Sequence, residues 1–351
     1  MKFSSKLIRW YEKHGRKDLP WQIDKTPYKV WISEIMLQQT QVVTVIPFYS
    51  AFIIRFPNIQ ELATSSEEEV MSFWSGLGYY SRARNIYKTA QILQKKFESK
   101  LPSSLSQLIS LPGIGPSTAG AILSLGYKKR APILDANVKR VLARYKKIEG
   151  DLSKALNIKT LWRISESLTP EEKVDLYNQA IMDLGALVCT KSSPKCRICP
   201  VSRDCIAFNK KLIQVLPRKK LTKQKPFKTV FWLVVMNKNG KVLLKKRNNL
   251  GVWKGLWSFL ESENIQDLGK ECLTMFKKRK KDLKTYPDIN HSFSHLNLNA
   301  KLFLLKLNED INYNINKGKY VWVDKKGLKA LGIPTPVKNI FEVLKLNDQT
   351  S

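Results

Sequence analysis

Leu111-Pro112-Gly113-Ile114-Gly115-Pro116-Ser117-Thr118-Ala119-Gly120 is the stretch on which the reading of this chain turns. It lies between two runs with helical apolar spacing, Ser104–Ser110 and Pro116–Leu125, and so predicts two helices joined by a tight hairpin. Gly113 and Gly115 let the backbone turn, and Pro116 suits the first position of the second helix. The N–H groups left free at that helix start can hold a phosphate oxygen. A plain connection between two helices explains the same residues, but Lys128, Lys129, Arg130, Lys139 and Arg140 follow closely and favour the phosphate reading.

Outward from the hairpin, residues 1–215 read as helix after helix. Tyr28–Ile46, Glu67–Trp74 and Ser81–Lys96 carry helical spacing, and strand-like alternation is scarce. The texture changes at Pro217–Pro226, a charged segment without apolar periodicity, so 216–226 is the expected linker. Beyond it, Phe227–Met236 and Lys241–Lys246 flank Asn237-Lys238-Asn239-Gly240, where Asn-Gly supplies the positive φ angles of a hairpin turn. Leu296, Leu298, Ala300, Leu302 and Leu304 alternate with polar residues, the period of a half-buried strand, and Tyr320–Val323 resembles another. Stretches 265–276 and 336–346 read as helices. The expected architecture is multidomain: an all-α domain over 1–215, then an α+β domain over 227–346, without internal repeats.

The 351 residues carry 61 Lys+Arg against 29 Asp+Glu, a net charge of +32. Such a charge neutralises phosphates and releases their counterions, which points to nucleic acid, although Lys on solvated faces accounts for part of it. With 43% hydrophobic and 10% aromatic residues the chain can offset the entropy of folding, which excludes a disordered or fibrous class. The longest apolar run, Val230–Met236, is far short of the roughly 18 residues of a membrane span. The first ten residues hold no signal-peptide core, so a cytoplasmic location is expected.

Four cysteines follow the spacing Cys189-x6-Cys196-x2-Cys199-x5-Cys205. Thiolates so spaced can converge on one centre. Disulfides and structural zinc remain alternatives; an iron–sulfur cluster leads, because a zinc site usually shows two short Cys-x2-Cys knuckles and this has one. Cys272, in Glu271-Cys272-Leu273-Thr274-Met275-Phe276, reads as a buried small hydrophobe. Asp135, before Ala136-Asn137-Val138-Lys139-Arg140, stands where a helix N-cap belongs, and a carboxylate fixed there can also face a developing cation. Glu34 shares a helical stripe with Gln38 and Gln41 on an otherwise apolar helix. A carboxyl in that seam is desolvated and can donate a proton near neutrality, unless an Arg pairs with it. Gly76-Leu77-Gly78-Tyr79-Tyr80-Ser81-Arg82-Ala83-Arg84 carries two aromatics and two arginines, suited to wedging into a duplex and helping to expel a nucleotide. Core packing would explain one of the tyrosines.

These motifs, in this order, resemble the helix-hairpin-helix DNA glycosylases and, among them, the MutY-type adenine DNA glycosylases over nearly the whole chain. The carriers are Val30–Val42, Gly76–Asn85, Leu111–Ser124, Ile133–Arg140, Asn178–Cys189 with the cysteine set, and Phe293-Ser294-His295. The resemblance implies that Glu34 protonates a flipped-out adenine and that Asp135 stabilises the oxocarbenium-like sugar, with Asn137 nearby. It implies that Gln39 fills the space left by adenine, that Tyr79 wedges beside the lesion base, and that Gly113, Gly115, Ser117 and Lys139 meet DNA. Cys189, Cys196, Cys199 and Cys205 would hold a [4Fe–4S] cluster. The C-terminal domain resembles the MutT-like (Nudix) fold, in which Phe293, Ser294 and His295 would recognise 8-oxoguanine.

The implied activity is excision of adenine from A·8-oxoguanine and A·G mispairs in double-stranded DNA, by a monomer. Lyase-competent relatives carry a lysine at Ser117, so hydrolysis alone is expected; the Arg-Glu-x-x-Glu-Glu string of Nudix hydrolases is absent, so the second domain is expected to read and not cleave. Gln22, Ser117 and Gln179 depart from residues common in the family. The rival readings are a mismatch-specific pyrimidine glycosylase of the same superfamily and a non-catalytic iron–sulfur DNA-binding protein.

Overall fold

The computed structural model describes residues 2–218, 224–248, 251–308 and 318–343. Residues 219–223 of the expected linker and the end of the expected second domain, 344–346, lie outside them. The chain forms two compact units: Met1–Thr64 with Asn85–Thr222, and Ser65–Arg84 with Lys223–Ser351. The assignment of Ser65–Arg84 to the C-terminal unit has no counterpart in the sequence reading.

The helices run α1 (Phe3–His14), α2 (Pro27–Leu37), α3 (Val42–Arg55), α4 (Ile59–Thr64), α5 (Glu67–Phe73), α6 (Ser81–Lys96), α7 (Leu105–Ile109), α8 (Pro116–Ala121), α9 (Ala136–Tyr145), α10 (Ala155–Leu168), α11 (Val174–Leu187) and α12 (Ile206–Asn209). In the first unit α11 is central, packed by α1 and α9. Its neighbours present apolar residues at helical spacing: Phe3, Leu7, Trp10 and Tyr11 on α1, and Val138, Val141, Leu142 and Tyr145 on α9, all buried. The hairpin forms between α7 and α8. Gly113 turns it at φ +80°, and a Cβ there would stand 2.8 Å from the Asn85 Cβ, so glycine meets both a conformational and a steric demand.

One expectation fails locally. Tyr28–Ile46 is two helices, because the chain leaves α2 at Gln38 and Gln39 adopts a left-handed φ of +58°. Gln41 caps the next helix, so it does not share a helical stripe with Glu34. The break falls in Gln-Gln-Thr-Gln, which has neither Gly nor Pro to announce it.

Among the described residues the second unit is built on a seven-stranded mixed sheet with the path β3-β2-β1-β6-β5. Its strands are β1 (Phe227–Met236), β2 (Val242–Lys246), β3 (Trp257–Ser258), β4 (Leu260–Ser262), β5 (Lys284–Ser292), β6 (Asn297–Lys306) and β7 (Tyr320–Val323). β1 and β2 form the expected hairpin, and β1 pairs in parallel with β6 along its length. Leu298, Ala300, Leu302 and Leu304 are buried while Asn297, Asn299 and Lys301 are not, as their alternation predicts. Helix α13 (Ile265–Phe276) covers the sheet with Leu268, Cys272 and Phe276, which join Leu233, Val235 and Leu305 in the core; α14 (Thr335–Val343) follows β7.

Candidate active site and cysteine loop

A cavity of about 450 Å³ in the helical unit is lined by Glu34, Gln39, Ser117, Asp135, Asn137 and Gln179, among others. Glu34 arrives on α2, which starts at Pro27 behind a Thr26 side-chain cap and buries Trp31, Ile32, Ile35 and Met36. These apolar neighbours fix the helix and leave Glu34 half-buried at the cavity wall. Burial, reinforced by the charge of Asp135, raises its pKa to about 8. No arginine pairs with it among the described hydrogen bonds and ion pairs.

Asp135 is the N-cap of α9, and its Oδ1 accepts from the Val138 N–H at 2.7 Å. The cap leaves Oδ2 beside Asn137, whose Nδ2 donates to it at 3.4 Å. Burial raises the Asp135 pKa, while the N–H groups of Val138 and Asn137 and the charge of Arg140 pull it down. Ser117 Oγ accepts from the Leu134 N–H at 3.0 Å and so fixes the segment just before Asp135. Arg140, one helical turn after Asn137, donates to Asn137 Oδ1 at 2.8 Å, to the Gly185 carbonyl at 2.7 Å and to the Cys189 carbonyl at 2.7 Å. A Cβ at Gly185 would lie 2.6 Å from the Asn137 Cβ, so only glycine lets α11 approach this closely.

Behind the cavity, Asp183 is fully buried and accepts from the Arg16 backbone N–H at 2.8 Å, from its guanidinium at 2.6 Å and 3.1 Å, and from Gln179 Nε2 at 3.2 Å. Gln22 also lines the cavity, and its Oε1 is buried with no hydrogen-bond partner among the described residues.

The cysteine loop follows α11 directly. Arg144, 3% exposed, ties it down by donating to the carbonyls of Thr190 at 2.6 Å, Lys191 at 3.2 Å and Leu216 at 2.9 Å, and to Cys189 Sγ at 3.4 Å. Burial raises the Cys199 thiol to about 12, and Cys189, Cys205 and Cys196 push it the same way, so each of the others is near enough to be felt. All four are free thiols, and among the described residues no three His, Cys, Asp or Glu side chains are placed to hold one metal ion.

The other site residues anticipated from sequence fall in both units. Gln39 is at the cavity, and Gly113 and Gly115 are in the hairpin. Lys139 lies on α9, two residues after Asn137. Tyr79, 44% exposed, belongs to the second unit, as do Phe293, Ser294 and His295, which make the turn between β5 and β6. Arg140, Arg144 and Asp183 hold the site together, yet sequence marked none of them for that work. The nearest signal was an arginine one helical turn beyond the capping motif.

Residues 32–166 match the family described as HhH-GPD superfamily base excision DNA repair protein, and residues 231–343 match the NUDIX domain. For the helical part, a thermostable thymine-DNA glycosylase is similar at TM-score 0.54 and 28% identity, covering 59% of this chain and 95% of that one. An endonuclease III–DNA complex has the same fold at TM-score 0.51 and 20% identity, covering 60% and 94%. The class is therefore the helix-hairpin-helix DNA glycosylases, here with a Nudix-type domain appended.

Full-length similarity narrows it. The adenine DNA glycosylase of Buchnera aphidicola subsp. Baizongia pistaciae is 44% identical over 347 residues, covering 98% of this chain and 97% of that one. That of Homo sapiens is 30% identical over 402 residues, covering 97% and 73%. The chain belongs to the adenine DNA glycosylase family, and it is an enzyme that excises adenine from DNA in base excision repair. Among the described residues no helix is long and apolar enough to cross a membrane.

Proposed function

We propose that this enzyme removes adenine paired with 8-oxoguanine, and also with guanine, by acid-assisted hydrolysis of the N-glycosidic bond, acting as a monomer on duplex DNA in the cytoplasm. The observation that carries the reading is the pairing of Glu34 with Asp135 on one cavity, the first held as the acid by burial and by the charge of the second. Glu34 delivers a proton to a ring nitrogen of the extruded adenine and so makes it a better leaving group. As the bond loosens, positive charge grows on the sugar, and Asp135, kept in place by its cap bond and by Asn137, lies ready to offset it. Water completes the hydrolysis. Ser117 carries no amine, so no Schiff base forms and strand cleavage does not follow. The unpartnered Gln22 Oε1 suits the exocyclic amine of adenine, where guanine presents an oxygen.

Cys189, Cys196, Cys199 and Cys205 would hold a [4Fe–4S] cluster: they form a sulfur-only set, the donor chemistry such a group takes, on a loop pinned by Arg144. The group would fix the loop that carries Lys195 and Arg197 and present it to DNA phosphates. Domain limits of 1–215 and 227–346 about a linker at 216–226 complete the proposal, with the hairpin at Gly113 and Gly115 and Lys139 meeting DNA, and Gln39 entering the space left by adenine. Tyr79 wedges beside the lesion base, and Phe293, Ser294 and His295 read it.

Single-turnover release of free adenine from duplexes bearing A·8-oxoguanine, A·G, A·T and T·G tests the reading. Release from the first two, abolished by Glu34→Gln, is expected. Full excision by Glu34→Gln would overturn it, and release of thymine from T·G would favour the pyrimidine relative. Iron and acid-labile sulfide in equal amounts, in a brown preparation, are expected; zinc in a colourless one would overturn the cluster.

A further inference from the structure

We propose that the Tyr79 turn and the Phe293-Ser294-His295 loop form a single reading head for the base opposite the adenine, coupled through Arg84, Lys254 and Trp253. The inference deepens the lesion reading above and rests on it. Its starting point is the division of the chain: the family match over 32–166 runs through Ser65–Arg84, yet this segment packs as part of the C-terminal unit.

The segment is anchored within that unit at several points. Glu68 accepts from Trp257 Nε1 at 2.6 Å. Ser75 Oγ and Tyr80 OH both donate to the Ile333 carbonyl at 2.9 Å, and the Gly76 N–H donates to Tyr80 OH at 3.3 Å. The turn is braced from inside as well, because the Gly78 carbonyl accepts from Trp74 Nε1 at 3.0 Å and from Arg82 Nη2 at 3.1 Å. The Arg82 guanidinium lies 5.4 Å from the Tyr79 ring centroid and 5.3 Å from that of Trp74. Tyr79 itself sits at φ +49°, a conformation that a bulky residue holds only where its surroundings impose it. An exposed aromatic on a strained, well-anchored turn is preorganised to meet a ligand.

From this turn a continuous path leads to the loop. Arg84 donates to the Lys254 carbonyl. The adjacent Trp253, also at positive φ and 9% exposed, packs its ring 4.9 Å from Phe293 and 5.5 Å from His291. Arg247 lies 5.9 Å from the Trp253 centroid and is itself fixed by a bidentate pair with Glu261 at 2.8 Å and 2.9 Å. Close-packed rings and a charge-assisted bond transmit displacement, so a base that moves Phe293 also moves the anchor of Tyr79. The exposed Ser294 and His295 offer donors and acceptors for the altered edge of an oxidised purine, where N7 carries a hydrogen and C8 an oxygen. Arg84 and Trp253 are positioning residues in this scheme.

The test compares single-turnover adenine release from A·8-oxoguanine and A·G duplexes by the full-length enzyme. Arg84→Ala and Trp253→Leu are expected to cut the preference for 8-oxoguanine about tenfold, Arg84→Lys to restore most of it, and the double variant Tyr79→Ala/Trp253→Leu to lose less than the product of its singles. A purely structural role would lower both rates in parallel, and that outcome, an unchanged preference, or strict multiplicativity in the double variant would overturn the coupling. A wild-type enzyme without preference between the duplexes would instead overturn the lesion reading, and this inference with it.

Discussion

Glu34 is held protonated at neutral pH by burial and by the negative charge of Asp135, which lines the same cavity. Burial raises both carboxyls, but only at Asp135 do the Val138 and Asn137 N–H groups and the charge of Arg140 oppose the rise, so two groups of the same chemistry sit in different environments.

The first expected outcome is a pH profile. In the proposed mechanism the acid form of Glu34 is the active one, and it is lost as pH rises through about 8. Single-turnover excision should be level on the neutral side and fall about tenfold per pH unit above that point. A rate that climbs through the same range would contradict proton donation by Glu34.

The same shift has a cost in stability. A carboxyl whose folded pKa lies above its unfolded value contributes most below the unfolded pKa, about 4.5, and that contribution is lost as pH rises to the folded value of about 8, where the loss levels off. Glu34→Gln removes the dependence. Its stability relative to the parent should therefore grow between these limits by up to about 1.4 kcal/mol per pH unit, measured by denaturant unfolding of the helical unit. A difference that does not vary with pH would show that Glu34 ionises normally.

Much of the site was legible because each key residue obeys a local rule. Asp135 is a cap where a cap was expected, and Glu34 is the lone carboxyl on a largely apolar helix. The hairpin glycines announced their own turn. What escaped was set by tertiary contact: the helix break at Gln38–Gln41 serves the cavity and has no breaker residue, and Asp183 meets Arg16 across 167 positions of chain. The grouping of Ser65–Arg84 with the C-terminal unit is likewise a matter of packing, carried by bonds such as Tyr80 to Ile333, which no periodicity encodes.

Arg140 joins the N-terminal end of α9 to the cysteine loop, since one guanidinium serves Asn137 and the carbonyls of Gly185 and Cys189. Arg140→Leu takes this donor away from all three acceptors, leaving the Cys189 carbonyl only the 3.5 Å bond from Arg144, and frees Asn137 from its orientation toward Asp135. Loss of hydrogen bonds to a charged group, about 1.5–3 kcal/mol, corresponds to an excision rate roughly ten- to a hundredfold lower. Arg140→Lys, which can serve only part of the set, should fall between. Single-turnover kinetics with iron content measured in parallel would separate loss of orientation from loss of the loop.

Asp183 makes the strongest case for a residue that supports the site without touching its chemistry. Its carboxylate is fully buried and every partner is a donor: the Arg16 guanidinium, the Arg16 backbone N–H and Gln179. Asp183→Asn keeps the shape but leaves the half-buried Arg16 without its counter-charge and turns an amide N–H toward a cation. Breaking one side of such a pair costs about 3 kcal/mol or more, because the remaining charge is left desolvated. The double variant Arg16→Met/Asp183→Leu, which removes both charges, should lose less than Asp183→Asn alone, since no unpaired charge remains. Denaturant melts of the three variants decide the matter, and a single substitution as mild as the double would show that the pair is solvated and contributes little.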